Sequence, residues 1–368
     1  MLYKCFSRES TVMAQPFDLG RLALTGAAAP VAQNVLYATA GQLPALSIAQ
    51  LSVFSTSQTG TLAFQYGGER VGGGYGDLQL RWFDRSGHEI GALGDAGPHK
   101  TEVNLSRDGR HATMVKSTGN ASDVWLVDNV RGVPSRFTFG PGTNSNPVWS
   151  PDGRQVIFSS DRNGSIDLFE KPSDGSEPER LLYGDRHIKI AESVSPDGEY
   201  LTYWVNDETS ANHSRDIWVL PLRGKRTPFP LTQTPYSESQ SQFSPDGRWV
   251  AYNSDESGQR EVYVVPFPGP GPKVKVSTDG GVFPRWNRNG HELFFVGPQR
   301  TLSVASVRVV DGRFNVVETH PLFDLRLSGP AVYDVAPDGQ RFLVHTRDRE
   351  PAIAPITLVV NWPFLLKH

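Results

Sequence analysis

Sulfur is almost missing from the 368-residue chain, which holds one cysteine, Cys5, and three methionines. A lone cysteine excludes an intrachain disulfide and leaves the redox compartment open. In the apolar stretch of residues 2–6, Cys5 reads as packing rather than as a nucleophile. An excess of one charge is lacking too. Lys and Arg number 36 against 39 Asp and Glu, a formal net charge of −3, so no polybasic surface points to nucleic acid or anionic lipid. No apolar run is long enough to span a bilayer: the greasiest, residues 356–366, is interrupted by Asn361 and Pro363. Lys4, Arg8 and Glu9 break up the first ten residues, so no signal peptide is expected there. The chain as written reads as a soluble monomer.

Catalytic and metal motifs are scarce in the same way. There is no Gly-x-Ser-x-Gly elbow, no Val-Ala-Ile-Lys strand, and no His-Arg-Asp or Asp-Phe-Gly triplet. Arg107-Asp108 belongs to Ser-Arg-Asp-Gly, a turn. The nine histidines show no His-x-x-x-His or Cys/His spacing, so no metal chemistry and no cofactor are expected. The glycine-rich stretch 67–76 lacks the Gly-Lys-Ser/Thr of a phosphate cradle and reads as a hairpin loop. One weak calcium candidate remains. Asp161, Asn163 and Asp167 alternate around Gly164, without the closing glutamate of a helix–loop–helix site.

What the chain does have is glycine (36), proline (28) and a repeat. Ser150-Pro151-Asp152-Gly153 recurs at residues 195–198 and 244–247. Blurred copies stand at 106–109 (SRDG), 287–290 (NRNG) and 336–339 (APDG). The third position of each copy falls at 108, 152, 197, 246, 289 and 338, at intervals of 44, 45, 49, 43 and 49 residues. A worn seventh copy is centred on 59. A fixed period of this size marks a stacked or radial repeat fold. The motif suits a type I turn: proline pre-sets φ, serine bonds the turn, and glycine takes the left-handed position.

The flanks agree with two antiparallel strands. Three residues before the turn aspartate stand Leu105, Trp149, Val194, Phe243, Trp286 and Val335. Four after it stand Ala112, Val156, Leu201, Val250, Leu293 and Phe342. Third strands open on an acid and alternate bulky residues, as in DVWLVD (123–128), DIWVLP (216–221) and EVYVVP (261–266); Trp125, Trp218 and Tyr263 on them read as packing. In the 152 copy the spacing predicts strands at 146–150, 155–159, 166–171 and 178–183. Four short strands per period describe the blade of a β-propeller, an all-β fold. The expectation is a single propeller domain over 1–368. The half-repeat 1–34 would complete the last blade and latch a ring of seven, with six blades as the alternative should the ends stay unpaired.

Residues 149–175 (WSPDGRQVIFSSDRNGSIDLFEKPSDG) resemble the WD40-like (PD40) repeat of TolB-type β-propellers. Residues 12–26, 80–94, 243–271 and 334–362 resemble the propeller found behind the kinase domain of some bacterial serine/threonine protein kinases. That resemblance implies an extracytoplasmic sensing propeller, a detached part of a kinase-linked receptor. Kinase activity is not implied, because the kinase motifs are missing from this sequence.

In such a fold the innermost strand of each blade ends in the Ser-Pro-Asp-Gly turn, and its approach residues rim one end of the channel. Here they differ from copy to copy: Asn144, Asn146, Lys189, Glu192, Glu238, Gln240, Phe283, Arg285 and Tyr333. The variety favours recognition of a protein or peptide partner by a non-enzymatic module. The alternative is a lyase or hydrolase using Glu192, Glu238 and Arg285.

Overall fold

The computed structural model describes residues 2–8, 11–18, 20–33, 35, 37–39, 50–52, 54–57, 61–65, 78–118, 121–206, 214–325, 333–347 and 356–363. Among them there is no α-helix, only strands and one 3-10 turn at Pro298–Arg300. The chain forms two compact units, Asp77–Asp348 and Met1–Gly76 with Arg349–His368.

The larger unit is six four-stranded antiparallel sheets. Their first strands are His99–Leu105, Asn144–Trp149, Lys189–Val194, Glu238–Phe243, Val282–Trp286 and Tyr333–Val335; we number the sheets one to six in that order. In the second sheet the strands are Asn144–Trp149, Gln155–Ser160, Asp167–Pro172 and Arg180–Tyr183, within two residues of the expected bounds. Each first strand neighbours the next in cyclic order, and the sixth returns to the first.

Apolar cores fill the gaps between successive sheets, all the way round. Val124 and Phe137 of the first sheet meet Phe158 and Phe169 of the second. Leu168 meets Leu201 and Tyr203 between sheets two and three, and Ile217 meets Tyr252 between three and four. Trp249 meets Trp286 and Phe295 next, then Phe294 meets Phe342. Leu80 and Leu343 close the circle against Met114 and Val127. A sheet greasy on both faces needs a neighbour on each side, and ring closure provides both.

The turns behave as their chemistry requires. Ser106, Ser150, Ser195 and Ser244 each donate the hydroxyl proton to the turn aspartate at 2.5–2.7 Å. Each also accepts the N–H of the residue that opens the second strand, at 2.9–3.0 Å. Gly109 has φ +70°, and a Cβ there would lie 2.7 Å from Pro337 Cγ of the sixth sheet's turn. Proline of one sheet thus packs on glycine of the next, which gives the repeat a second reason for both residues.

The sixth sheet is not completed by residues 11–34. Arg341–Arg347 pairs with Leu78–Asp84, in register Leu343↔Trp82 and His345↔Leu80, and Leu78–Asp84 pairs with Glu89–Gly97. The worn copy centred on 59 is therefore divided. Its last two strands close the ring, and its Thr61–Gln65 strand pairs with Ile356–Val360 in the smaller unit. Thr11–Asp18 pairs with Leu2–Arg8 and Ala29–Ala32. The reason lies in the sequence LQLRWFD, whose bulky alternation supplies the third strand that the sixth sheet lacks; Leu78 and Leu80 are buried there. The expected seventh sheet is accordingly absent from the Asp77–Asp348 unit among the described residues. The turn centred on 59 and the loop 67–76 lie outside the described residues. The smaller unit packs Val12, Ala14, Ala32, Val35, Leu62, Phe64 and Trp362 into its own core.

Candidate functional site: the mouth of the ring

Six first strands begin at one end of the ring and run toward the turns at the other. Five carry a register shift along their length, and in three of them a non-glycine residue turns left-handed there. Asn146, Gln240 and Phe283 stand at φ +49°, +62° and +55°, and pairing to the second strand skips there. A left-handed non-glycine residue costs on the order of 1 kcal/mol and persists only where surroundings hold it. At Gln240 and Phe283, bonds across the sheet interfaces do the holding.

The Glu192 carboxylate of the third sheet accepts the backbone N–H of Gln240, and the N–H and hydroxyl of Ser241, in the fourth. Gln240 Oε1 accepts the N–H of Phe283 in the fifth at 2.8 Å. The Tyr333 hydroxyl of the sixth donates to the Phe283 carbonyl at 3.1 Å. Asp334 Oδ2 accepts the N–H of Leu105 in the first at 2.6 Å. Asn104 Nδ2 donates to the Pro147 carbonyl of the second at 2.8 Å, and Ser159 Oγ accepts the N–H of Ala191 in the third at 2.9 Å. Every one of the six interfaces therefore carries a side-chain fastener.

The remaining expected site residues divide between this network and local struts. Asn144 is buried, donates to the Ser122 carbonyl, and accepts from Arg162 at 2.8 Å. Lys189 is fully buried, with Nζ 3.2 Å from Asp167 Oδ1 and 2.7 Å from Asp185 Oδ1. Arg285 Nε lies 3.7 Å from Asp334 Oδ1, and its Nη1 donates to the Pro284 carbonyl. Glu238 is buried and accepts from Thr234 Oγ1 at 2.6 Å and Ser254 Oγ at 3.3 Å.

Burial pushes both Glu192 and Glu238 up to about 7; hydrogen bonds oppose it at each, and the Asp216 charge adds to it at Glu238. Both thus titrate where a general base works. No described contact joins Glu192 to Glu238 or to Arg285, so the three are not gathered on one reacting centre. The calcium candidates are committed elsewhere: Asp161 Oδ1 accepts the Thr143 N–H at 2.6 Å, Asp167 faces the Lys189 ammonium, and Asn163 is exposed.

Two of the acids near the start of third strands tie that strand to the chain just beyond its own fourth strand. Asp123 accepts from the Thr138 hydroxyl and pairs with Arg136 at 2.8 Å; Glu261 accepts from the Ser277 hydroxyl and the Gly280 N–H. Asn104, Ser193 and Asp334 escaped the sequence analysis because their partners lie 43, 50 and 229 residues away. Their only signal is position: each precedes the apolar residue that leads into the turn.

Residues 98–214 match the TolB beta propeller domain family. An uncharacterized protein of Agrobacterium fabrum is 31% identical over 156 residues, covering 40% of this chain and 52% of that protein. The Tol-Pal system protein TolB of Wolinella succinogenes is 26% identical over 163 residues, covering 44% and 38%. The uncharacterized peptidase YuxL of Bacillus subtilis is 26% identical over 210 residues, covering 45% and 32%. The chain thus spans about half the length of the first relative and less of the other two. A solved structure from Agrobacterium tumefaciens described as a TolB superposes with a TM-score of 0.57 at 20% identity, over 74% of this chain and 99% of that one. With its recurring Ser-Pro-Asp-Gly turns and closed circuit of four-stranded sheets, the chain has a β-propeller fold similar to that of TolB.

Proposed function

We propose that the chain is a non-enzymatic propeller module that binds a protein or peptide at the mouth where the first strands begin, in a sensing or scaffolding role. The observation that carries this reading is the set of bulges at Asn146, Gln240 and Phe283. Three left-handed backbones carry different side chains, and two of them, at Gln240 and Phe283, are held by bonds to a neighbouring sheet. A rigid, varied rim binds with little ordering cost, which is what recognition needs. The resemblance of residues 243–271 and 334–362 to kinase-associated propellers supports reading it as the propeller part of a kinase-linked receptor. A second reading, a lyase or hydrolase, draws on Glu192 and Glu238 near 7.

A peptide-display screen on the full chain, followed by calorimetry, tests the first reading. Phe283→Ala removes the aromatic group of the rim and should weaken a selected peptide about ten-fold. Val130→Ser, on an exposed turn, should change nothing. Affinity unmoved by Phe283→Ala, or a substrate turnover that Glu192→Gln abolishes, would overturn it.

A further inference from the structure

Two turns carry arginine where the repeat has proline: Arg107 in SRDG and Arg288 in NRNG. Both side chains leave their own sheets. Arg107 Nη1, in the first sheet, donates to the Pro196 carbonyl of the third at 3.3 Å. Arg288 Nη2, in the fifth, donates to the Ser106 carbonyl of the first at 2.9 Å. The second sheet stands between the ends of one bond, and the sixth between the ends of the other. Each arginine is therefore a chord laid over the opening, at the turn end and opposite the rim described above.

A guanidinium has five N–H donors, and each chord spends one nitrogen on a neutral carbonyl. Neither arginine has a carboxylate within 4 Å among the described residues. The nearby acids are already committed: Asp108 to the Ser106 hydroxyl and the Arg110 N–H, Asp334 to Leu105, Val335 and Arg285. Burial and the like charge of Arg107 hold Arg288 below the ordinary arginine range, against the pull of Asp334 and Asp108. Two cations, near enough for the charge of one to act on the other, stand where the repeat would have placed two neutral prolines.

We propose that Arg107 and Arg288 form an anion site across the turn end of the ring, taking one carboxylate or phosphate group between them. The planar forks suit a two-oxygen head group, and the half-buried setting of Arg288 strengthens the attraction relative to open water. The site is independent of the rim and of what binds there.

Calorimetric titration of the full chain at low ionic strength with inorganic phosphate, and separately with acetate, tests it. Binding should appear for at least one probe and weaken with added chloride. Arg107→Pro and Arg288→Pro install the residue that other turns carry. Each should weaken binding about ten-fold or more, and the pair together should abolish it. A response to phosphate alone assigns the site to phosphate groups, and a response to acetate alone assigns it to carboxylates. If neither probe binds the unmodified chain, or the double variant binds as well as it does, the proposal falls. Should a proline variant not fold, broadening of the phosphorus resonance of free phosphate by the unmodified chain, relieved by acetate, supports the site. An unbroadened line, with acetate also failing to bind, overturns it.

Discussion

Replacing Asp334 with alanine strikes the seam between the last and first sheets. The carboxylate accepts the Leu105 N–H at 2.6 Å across the seam and the Val335 N–H at 2.8 Å within its own strand. It also stands 3.7 Å from Arg285, whose Nε is buried and makes no hydrogen bond among the described residues, so that this ion pair is its nearest partner. Losing a bond to a charged acceptor costs about 1.5–3 kcal/mol. Leaving a largely buried arginine without its counter-ion adds to that, since breaking a buried pair costs roughly 3–5 kcal/mol. An offset exists, because burial already raises the Asp334 pKa and the charged form is partly disfavoured. The net expectation is about 3 kcal/mol. At about 2–4 °C per kcal/mol for a unit of this size, the melting midpoint should drop by roughly 6–12 °C. Asp334→Asn keeps an acceptor for Leu105 and should lose about 1 kcal/mol. The assay is thermal unfolding followed by circular dichroism, with Glu177→Ala as the exposed control, expected within about 0.5 kcal/mol of the unmodified chain. If Asp334→Ala melted with that control, the seam would not depend on this carboxylate.

Three further outcomes follow from the turns and the buried acids. Gly109→Ala and Gly153→Ala share a left-handed backbone, but only the first would drive its Cβ against a neighbouring proline. Gly153→Ala should cost about 1 kcal/mol and Gly109→Ala roughly 2 or more; equal losses in denaturant titration would disprove the contact between turns. Ser150→Ala removes both the bond to Asp152 and the one from Gln155, and should cost about 1 kcal/mol in the same titration. Glu192 and Glu238 bind their protons more tightly folded than unfolded. Their contribution is therefore full below pH 4.5, the ordinary glutamate value, and lost as pH rises through about 7. The melting midpoint should fall between pH 5 and 8, and Glu238→Gln should flatten that fall. Asp108, lowered by the Arg110 N–H and the Ser106 hydroxyl, acts in the opposite sense and loses its contribution as pH drops below 3.8.

The sheets were legible in the sequence because each is local. A Ser-Pro-Asp-Gly turn, apolar residues at fixed offsets and an acid opening the third strand all fall within one period, and they located the strands of the second sheet to within two residues. Closure was not legible, because it joins Leu78–Asp84 to Arg341–Arg347 across most of the chain, and alternating bulky residues at 11–18 offer a similar surface. The period located the starts of the first strands, but not the contacts their side chains make. Lys189 and Asn144 look like ligand-facing polar groups in sequence and are buried struts in the fold, because their partners come from other strands. Arg107 and Arg288 had a readable signal, a cation in a proline's place, whose meaning depends on which turns face each other over the opening.

Whether the ring is closed by residues 78–97 can be read from one cross-link. Gln79 and Thr346 are paired across the closing strands, within the Cα spacing a disulfide needs. With Cys5 replaced by serine, the variant carrying Gln79→Cys and Thr346→Cys should oxidise to a single intramolecular disulfide in the folded state, and one carrying Gln15→Cys and Thr346→Cys should not. A bond between positions 15 and 346, with none between 79 and 346, would mean that the N-terminal strands close the ring instead.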